Sequence, residues 1–236
     1  MKKTIVLLLC AMCAGVIGAA LAEDIGILQA EKHATYEVGG TTLAALHATL
    51  PQLAKADAEE AMARVNAAIR TYVLTEGGYD DACEYALADY LYAPEKFAQT
   101  DYGLKAAVQA EILDGGALLA VRYDFVFYAG GPHPWDTVAA QHFDLSTGMP
   151  VTLEALAPDP AALRERVEEE TLRWIEGSGF EAFGDARELV GEWPLKNALL
   201  TGEGLLVFYN EGEIGPVSAG AAEILIPYDR LTGLLR

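Results

Sequence analysis

The sequence predicts an α+β fold, an antiparallel sheet meander packed against amphipathic helices. Three observations carry this. Residues 104–145 read as three strands whose connections are too short for crossovers, so neighbours must run antiparallel. Residues 58–73 and 160–177 repeat apolar side chains at helical spacing. The order is β-α-β with helices inserted between antiparallel strands, which makes the class α+β.

The first 22 residues stand apart. Lys2 and Lys3 precede an apolar run from Ile5 to Ile17, and Ala20-Leu21-Ala22 offers a small-residue cleavage site before Glu23, the pattern of a secretory signal peptide. No basic stop follows the apolar run, and no other segment approaches the length of a membrane helix. The expectation is an exported chain, periplasmic or secreted, with a single domain over 23–236 in two halves, about 25–128 and 129–236. A chain of that length buries roughly 70% of its extended surface on folding. Cys10 and Cys13 leave with the signal, so Cys83 has no intrachain partner and reads as a core thiol.

Residues 31–53 alternate around Gly39-Gly40 and suggest a hairpin. Asp57, with Glu60 three residues on, resembles a capping box ahead of the stripe Met62, Val65, Ile69 and Tyr72/Val73, and Gly77-Gly78 ends that helix. Asn66 lies beside the stripe and is placed to bond a neighbouring loop. Residues 80–92, with Tyr85, Tyr90 and Tyr92, read as a short helix whose aromatics edge the core.

The strongest β signal follows. Leu104–Leu113 turns at Asp114-Gly115-Gly116 into Ala117–Tyr128, where Leu119, Val121, Tyr123, Phe125 and Phe127 share one face. Asp136–Leu145 is the third strand, turning at Ser146-Thr147-Gly148. Thr152 caps a brief helix to Leu156. Asp159 then serves as N-cap with Pro160 at the first helical position, and Leu163, Val167, Thr171 and Trp174/Ile175 form the buried stripe up to Gly177. Residues 178–193 look irregular. A hairpin of 195–200 with 204–209, a loop over 210–219 and a last strand at 222–226 complete the chain.

Between the second and third strands of the meander lies Gly130-Gly131-Pro132-His133-Pro134-Trp135. Two glycines permit positive φ and two prolines fix φ, so a His and a Trp project from a stiff corner. His133 has two readings: it locks the corner onto a backbone carbonyl, or with Trp135 it forms a preorganised contact for a partner.

Catalytic templates are missing. No P-loop, dinucleotide fingerprint, nucleophile elbow or zinc-protease helix is present. His133 and His142 are nine residues apart along one strand, about 30 Å at ~3.3 Å per residue, too far to share a metal. Asp124, Asp136 and Asp144 stand at separate heights. Neither an enzyme nor a cofactor or metal is expected. The formal charge is −19, and removal of Lys2 and Lys3, two positive charges, takes it to −21. Such a field repels nucleic acid and anionic lipid and draws basic partners.

Tyr128–Pro134, Phe143-Asp144-Leu145-Ser146-Thr147-Gly148 and Thr152-Leu153-Glu154-Ala155-Leu156 together resemble the signature of the RsiV-like extracytoplasmic domain family. That family includes the lysozyme-sensing ectodomain of an anti-sigma factor and the non-catalytic domain of PdaC-type peptidoglycan deacetylases. Glu213-Ile214-Gly215-Pro216, Ala219-Gly220 and Ile226-Pro227-Tyr228 resemble its ending, and Leu50-Pro51 with Val65–Ile69 its N-terminal half. Gly212 and Val217 stand where relatives carry tyrosine, and no membrane helix or deacetylase domain accompanies the motifs. The resemblance implies a free-standing envelope domain, largely one of unknown function. Its implied binding face comprises Gly130, Gly131, His133, Pro134 and Trp135 with Glu213 and Pro216. The expected ligand is a basic, lysozyme-like protein. The alternatives are a peptidoglycan or other glycan stacked on Trp135 and the tyrosines and, last, cell-wall hydrolysis through His133.

Overall fold

The computed structural model describes residues 25–131, 133–192, 195 and 197–235. The signal-like segment over 1–22 and Pro132 of the corner lie outside the described residues. Strands and helices are both abundant, and the α+β class holds. Contacts divide the chain into two units: one holds the described residues up to Gln109 with Tyr123–Asp136, the other Ala110–Arg122 with the chain from Thr137 onward.

In the first unit, β1 (Gly26–Val38) and β2 (Thr41–Ala54) form the hairpin, turning through Gly39 and Gly40 at φ 61° and 84°. A bulge between Tyr36 and Glu37 shifts its register by one residue. Helix α1 (Glu59–Glu76) buries Met62, Val65, Ile69 and Val73, the stripe expected from spacing. Asp57 is not its cap. Ala58 occupies that position without a side-chain bond, and the Asp57 carboxylate lies 3.6 Å from Lys55 Nζ instead. Asn66 grips the end of a strand, not a loop: its Oδ1 accepts from Leu53 N–H at 2.8 Å and its Nδ2 donates to Leu53 O at 2.9 Å.

Gly78, at φ 83°, starts a second helix at once, α2 (Tyr79–Tyr92), followed by α3 (Pro94–Phe97). Tyr90 packs edge-on against Phe97 as a core-edge residue should, but Tyr85 and Tyr92 are exposed.

The chain then enters β3 (Gly103–Leu113), which pairs with β2 in parallel, from Ala45↔Gly103 to Thr49↔Ala107. The sheet thus extends beyond the meander expected over residues 104–145 through one parallel pairing. The helices between β2 and β3 supply the long crossover that parallel pairing needs. Gly103 suits the junction because a Cβ there would sit 2.0 Å from Ala45 O. β4 (Leu118–Tyr128) returns along β3 and buries Leu119, Val121, Tyr123 and Phe125, whereas Phe127 is partly exposed. The sheet order is β1-β2-β3-β4-β5-β6, with β5 at Trp135–Asp144 and β6 at Met149–Val151.

In the second unit, the Thr152 hydroxyl caps α4 (Leu153–Leu156). Asp159 Oδ1 accepts from Ala161 and Ala162 N–H at 3.1 and 3.2 Å to start α5 (Pro160–Ser178). The helix passes Gly177 and ends at Gly179, φ 74°. A short helix, α6 (Ala186–Glu192), occupies the stretch read as irregular. β7 (Ala198–Leu200), β8 (Gly204–Tyr209) and β9 (Ala222–Pro227) form a second, antiparallel sheet. Leu163 and Val167 of α5 join Leu205, Val207, Ile224 and Ile226 in its core.

Candidate functional site

The corner belongs to the first unit, and its frame is built from below. Gly130 sits at φ 80°, and a Cβ added there would lie 2.8 Å from Tyr102 Oη and 3.2 Å from Lys96 Cε. Only glycine fits on both counts. Tyr102 is held in turn. Its ring stacks on Phe97 at 5.9 Å and its hydroxyl donates to Asp89, whose carboxylate also pairs with Lys96 Nζ at 2.6 Å. These two bonds, Lys96 first, hold the Asp89 carboxyl below its ordinary range. Burial, then the bond to Asp89, pushes the Tyr102 phenol up to about 12, so it stays a donor near neutrality. At the other side of the corner, Tyr128 Oη donates to Gly131 O at 2.8 Å.

On this frame the rings project outward. His133 is exposed, and Trp135 keeps 50% of its surface in solvent. Their centroids are 6.0 Å apart with planes tilted by 51°. The His133 Nδ1–H donates to Pro134 O at 2.9 Å. His133 thus ties the corner to a backbone carbonyl, the first of its two readings, and its ring stays exposed. Gly131 and Pro134 are exposed beside it.

The 210–220 segment, in the second unit, is built differently. Glu213 Oε2 accepts from Asn210 N–H at 2.7 Å, and Glu213 N–H donates to Asn210 O at 3.1 Å. The Asn210 side chain brackets Val138 of β5, accepting from its N–H at 2.7 Å and donating to its carbonyl at 3.2 Å. Ile214 is buried, and its carbonyl accepts from Phe183 N–H at 2.9 Å. A Cβ on Gly215 would stand 2.5 Å from Glu181 O and 2.8 Å from the Phe180 ring. Pro216 is half-buried. Corner and loop thus fall in separate units, and Glu213 and Pro216 belong to a loop fastened to its own surroundings.

The other polar candidates have structural roles. His142 is buried, its Nε2 accepts from Leu200 N–H at 3.0 Å, and burial lowers its pKa to about 4. Asp144 Oδ1 accepts from Ser146 N–H, Ser146 Oγ and Thr147 N–H at 2.7, 2.6 and 3.1 Å. These bonds, the Ser146 hydroxyl first, hold its carboxyl below the ordinary range. Among the described residues no three metal-ligating side chains converge, and no helix is long and apolar enough to cross a membrane. The corner offers ring faces, an imidazole and backbone carbonyls to solvent. Sequence reasoning missed the Asp89–Lys96–Tyr102 support. Its members come from α2, α3 and the residue just before β3, and no spacing rule links them to residue 130.

Residues 162–229, from α5 through β9, match the model of a family described as a protein of unknown function, DUF3298. The corner lies outside that match. Two crystal structures share the fold. A DUF3298 family protein from Pseudomonas aeruginosa PAO1 is 16% identical, with TM-score 0.55, over 92% of this chain and 97% of that one. A member of the same family from Bacteroides fragilis is 17% identical, with TM-score 0.57, over 90% and 93%. At such identities the likeness speaks for the fold alone. No curated protein matches the chain.

Proposed function

We propose that this chain is an exported recognition domain of the cell envelope that binds a basic protein through the Gly130–Trp135 corner. A lysozyme-like enzyme is the first candidate. The observation that carries the reading is the half-exposed Trp135 beside His133 on a frame fixed by Tyr128 and by Gly130 against Tyr102. A large, stiff aromatic loses little conformational entropy on binding, and tryptophan is enriched at the energetic centres of interfaces. The formal charge of −19 favours encounter with a cationic partner. Export rests on the signal-like first 22 residues, and the finer kinship to RsiV-like ectodomains on the motifs from Tyr128 to Leu156.

The test is a salt titration of association with lysozyme. Charge-steered binding slows in its association rate as ionic strength rises. An absence of binding at low salt removes the lysozyme assignment. A glycan reading has its own support in the exposed Tyr85, Tyr92 and Trp135. It requires retention on cell-wall material at high salt that is lost in Trp135→Ala.

A further inference from the structure

The first unit carries a histidine pair far from the corner in sequence. The bulged register sets His33 of β1 directly opposite His47 of β2. Both residues are exposed, their Nδ1 atoms are 2.8 Å apart, and the ring centroids are 4.8 Å apart. We infer that His33 and His47 form a surface binding site for a transition-metal dication, with copper(II) as the preferred ion.

The geometry supports this in two ways. Two imidazole nitrogens bound in cis at ~2.0–2.1 Å from a metal stand about 2.9 Å apart at a right angle, and farther apart at a tetrahedral one. The observed spacing suits the square or tetragonal arrangement typical of copper(II) and nickel(II), and copper(II) leads the affinity order. The second feature is Glu31, two residues along the same face of β1. Its Oε2 lies 3.7 Å from His33 Nε2, the ring nitrogen directed away from His47. A carboxylate there favours a proton on Nε2 and frees Nδ1 as a lone pair, as outer partners of metal-bound histidines do.

In the metal-free pair one Nδ1–H lies between the two rings. With the His33 proton on Nε2, beside Glu31, the bridging proton is on His47. When the metal enters, that proton moves through solvent to His47 Nε2, both rings stay neutral, and both Nδ1 lone pairs reach the ion. Glu31 and Glu37 flank the pair on β1, and Lys105 of β3 stands level with His47. Water completes the coordination.

Copper(II) titrated into the full chain, followed by calorimetry and electron paramagnetic resonance, tests the site. The expected result is one strong equivalent whose hyperfine pattern reports two nitrogens. His33→Ala or His47→Ala should weaken it at least tenfold and leave one nitrogen in the pattern. Glu31→Gln should weaken it severalfold with both nitrogens retained, and His133→Ala should leave it unchanged. Because both rings are exposed, the variants keep the parent's thermal stability, and a melting curve confirms that each is folded. Equal copper binding by the parent and the doubly substituted His33→Ala/His47→Ala chain would overturn the site. So would a two-nitrogen signal that depends on His133.

Discussion

The 130–135 corner and the 210–220 loop look alike as sequence. Both are rich in glycine and proline, and both carry a polar residue between them. Their structures diverge. The loop turns its groups inward: Glu213 closes it, Asn210 staples it to β5, Ile214 is buried, and Gly215 abuts Phe180 and Glu181. The corner spends its glycine on close approach to Tyr102 and leaves Trp135 and His133 facing solvent. Constrained backbone alone does not mark a binding surface. What separates the two segments is whether the side chains that the constraint positions are consumed by the fold.

Substitutions can sharpen or break this contrast. The largest effect belongs to the loop. Gly215→Val places side-chain atoms where even a Cβ meets backbone, and should destabilise the chain by about 3 kcal/mol in denaturant unfolding. Tolerance of valine would show that the loop is not packed as described.

The second unit should also show acid sensitivity through His142. Its pKa falls from 6.5 to about 4 in the folded chain, so the unfolded chain takes up the proton first as pH drops. Stability from this group is fully present above about pH 6.5 and is lost as pH falls towards 4, on the order of 3 kcal/mol in all. Melting curves across that window measure it, and His142→Leu should flatten the slope even though it is less stable throughout.

Asn210→Ala leaves the Val138 N–H and C=O without their partner and should cost about 2 kcal/mol by the same unfolding measurement. Trp135→Ala is the counterpart in the corner. With half its surface already in water, its loss should change stability by no more than about 0.5 kcal/mol.

Local signals in the sequence carried well. The α1 stripe, the Asp159-Pro160 start of α5, the Thr152 cap and the Gly39-Gly40 turn each arise from residues within a few positions of one another. What escaped was set by distant partners. The parallel pairing of β2 with β3 joins Ala45 to Gly103, across three helices that no local pattern ties to a strand. The bulge at Tyr36/Glu37 is similar: an unbulged hairpin with Val38 opposite Thr41 would set His33 against Leu46, and the one-residue shift brings His47 there instead. Helix α6 hides among Gly179, Gly184 and Gly191, where the short apolar repeat is too brief to show a period. For the corner, sequence identified the projecting residues but not the Asp89–Lys96–Tyr102 support beneath Gly130.

The most direct test is the affinity of the parent and Trp135→Ala for lysozyme at low ionic strength, with thermal unfolding of both recorded alongside. If the corner is a recognition surface, Trp135→Ala weakens binding at least tenfold while the melting temperature stays within a degree or two of the parent's. Undiminished binding by the variant would contradict that role, and a large fall in its melting temperature would make the corner architecture instead.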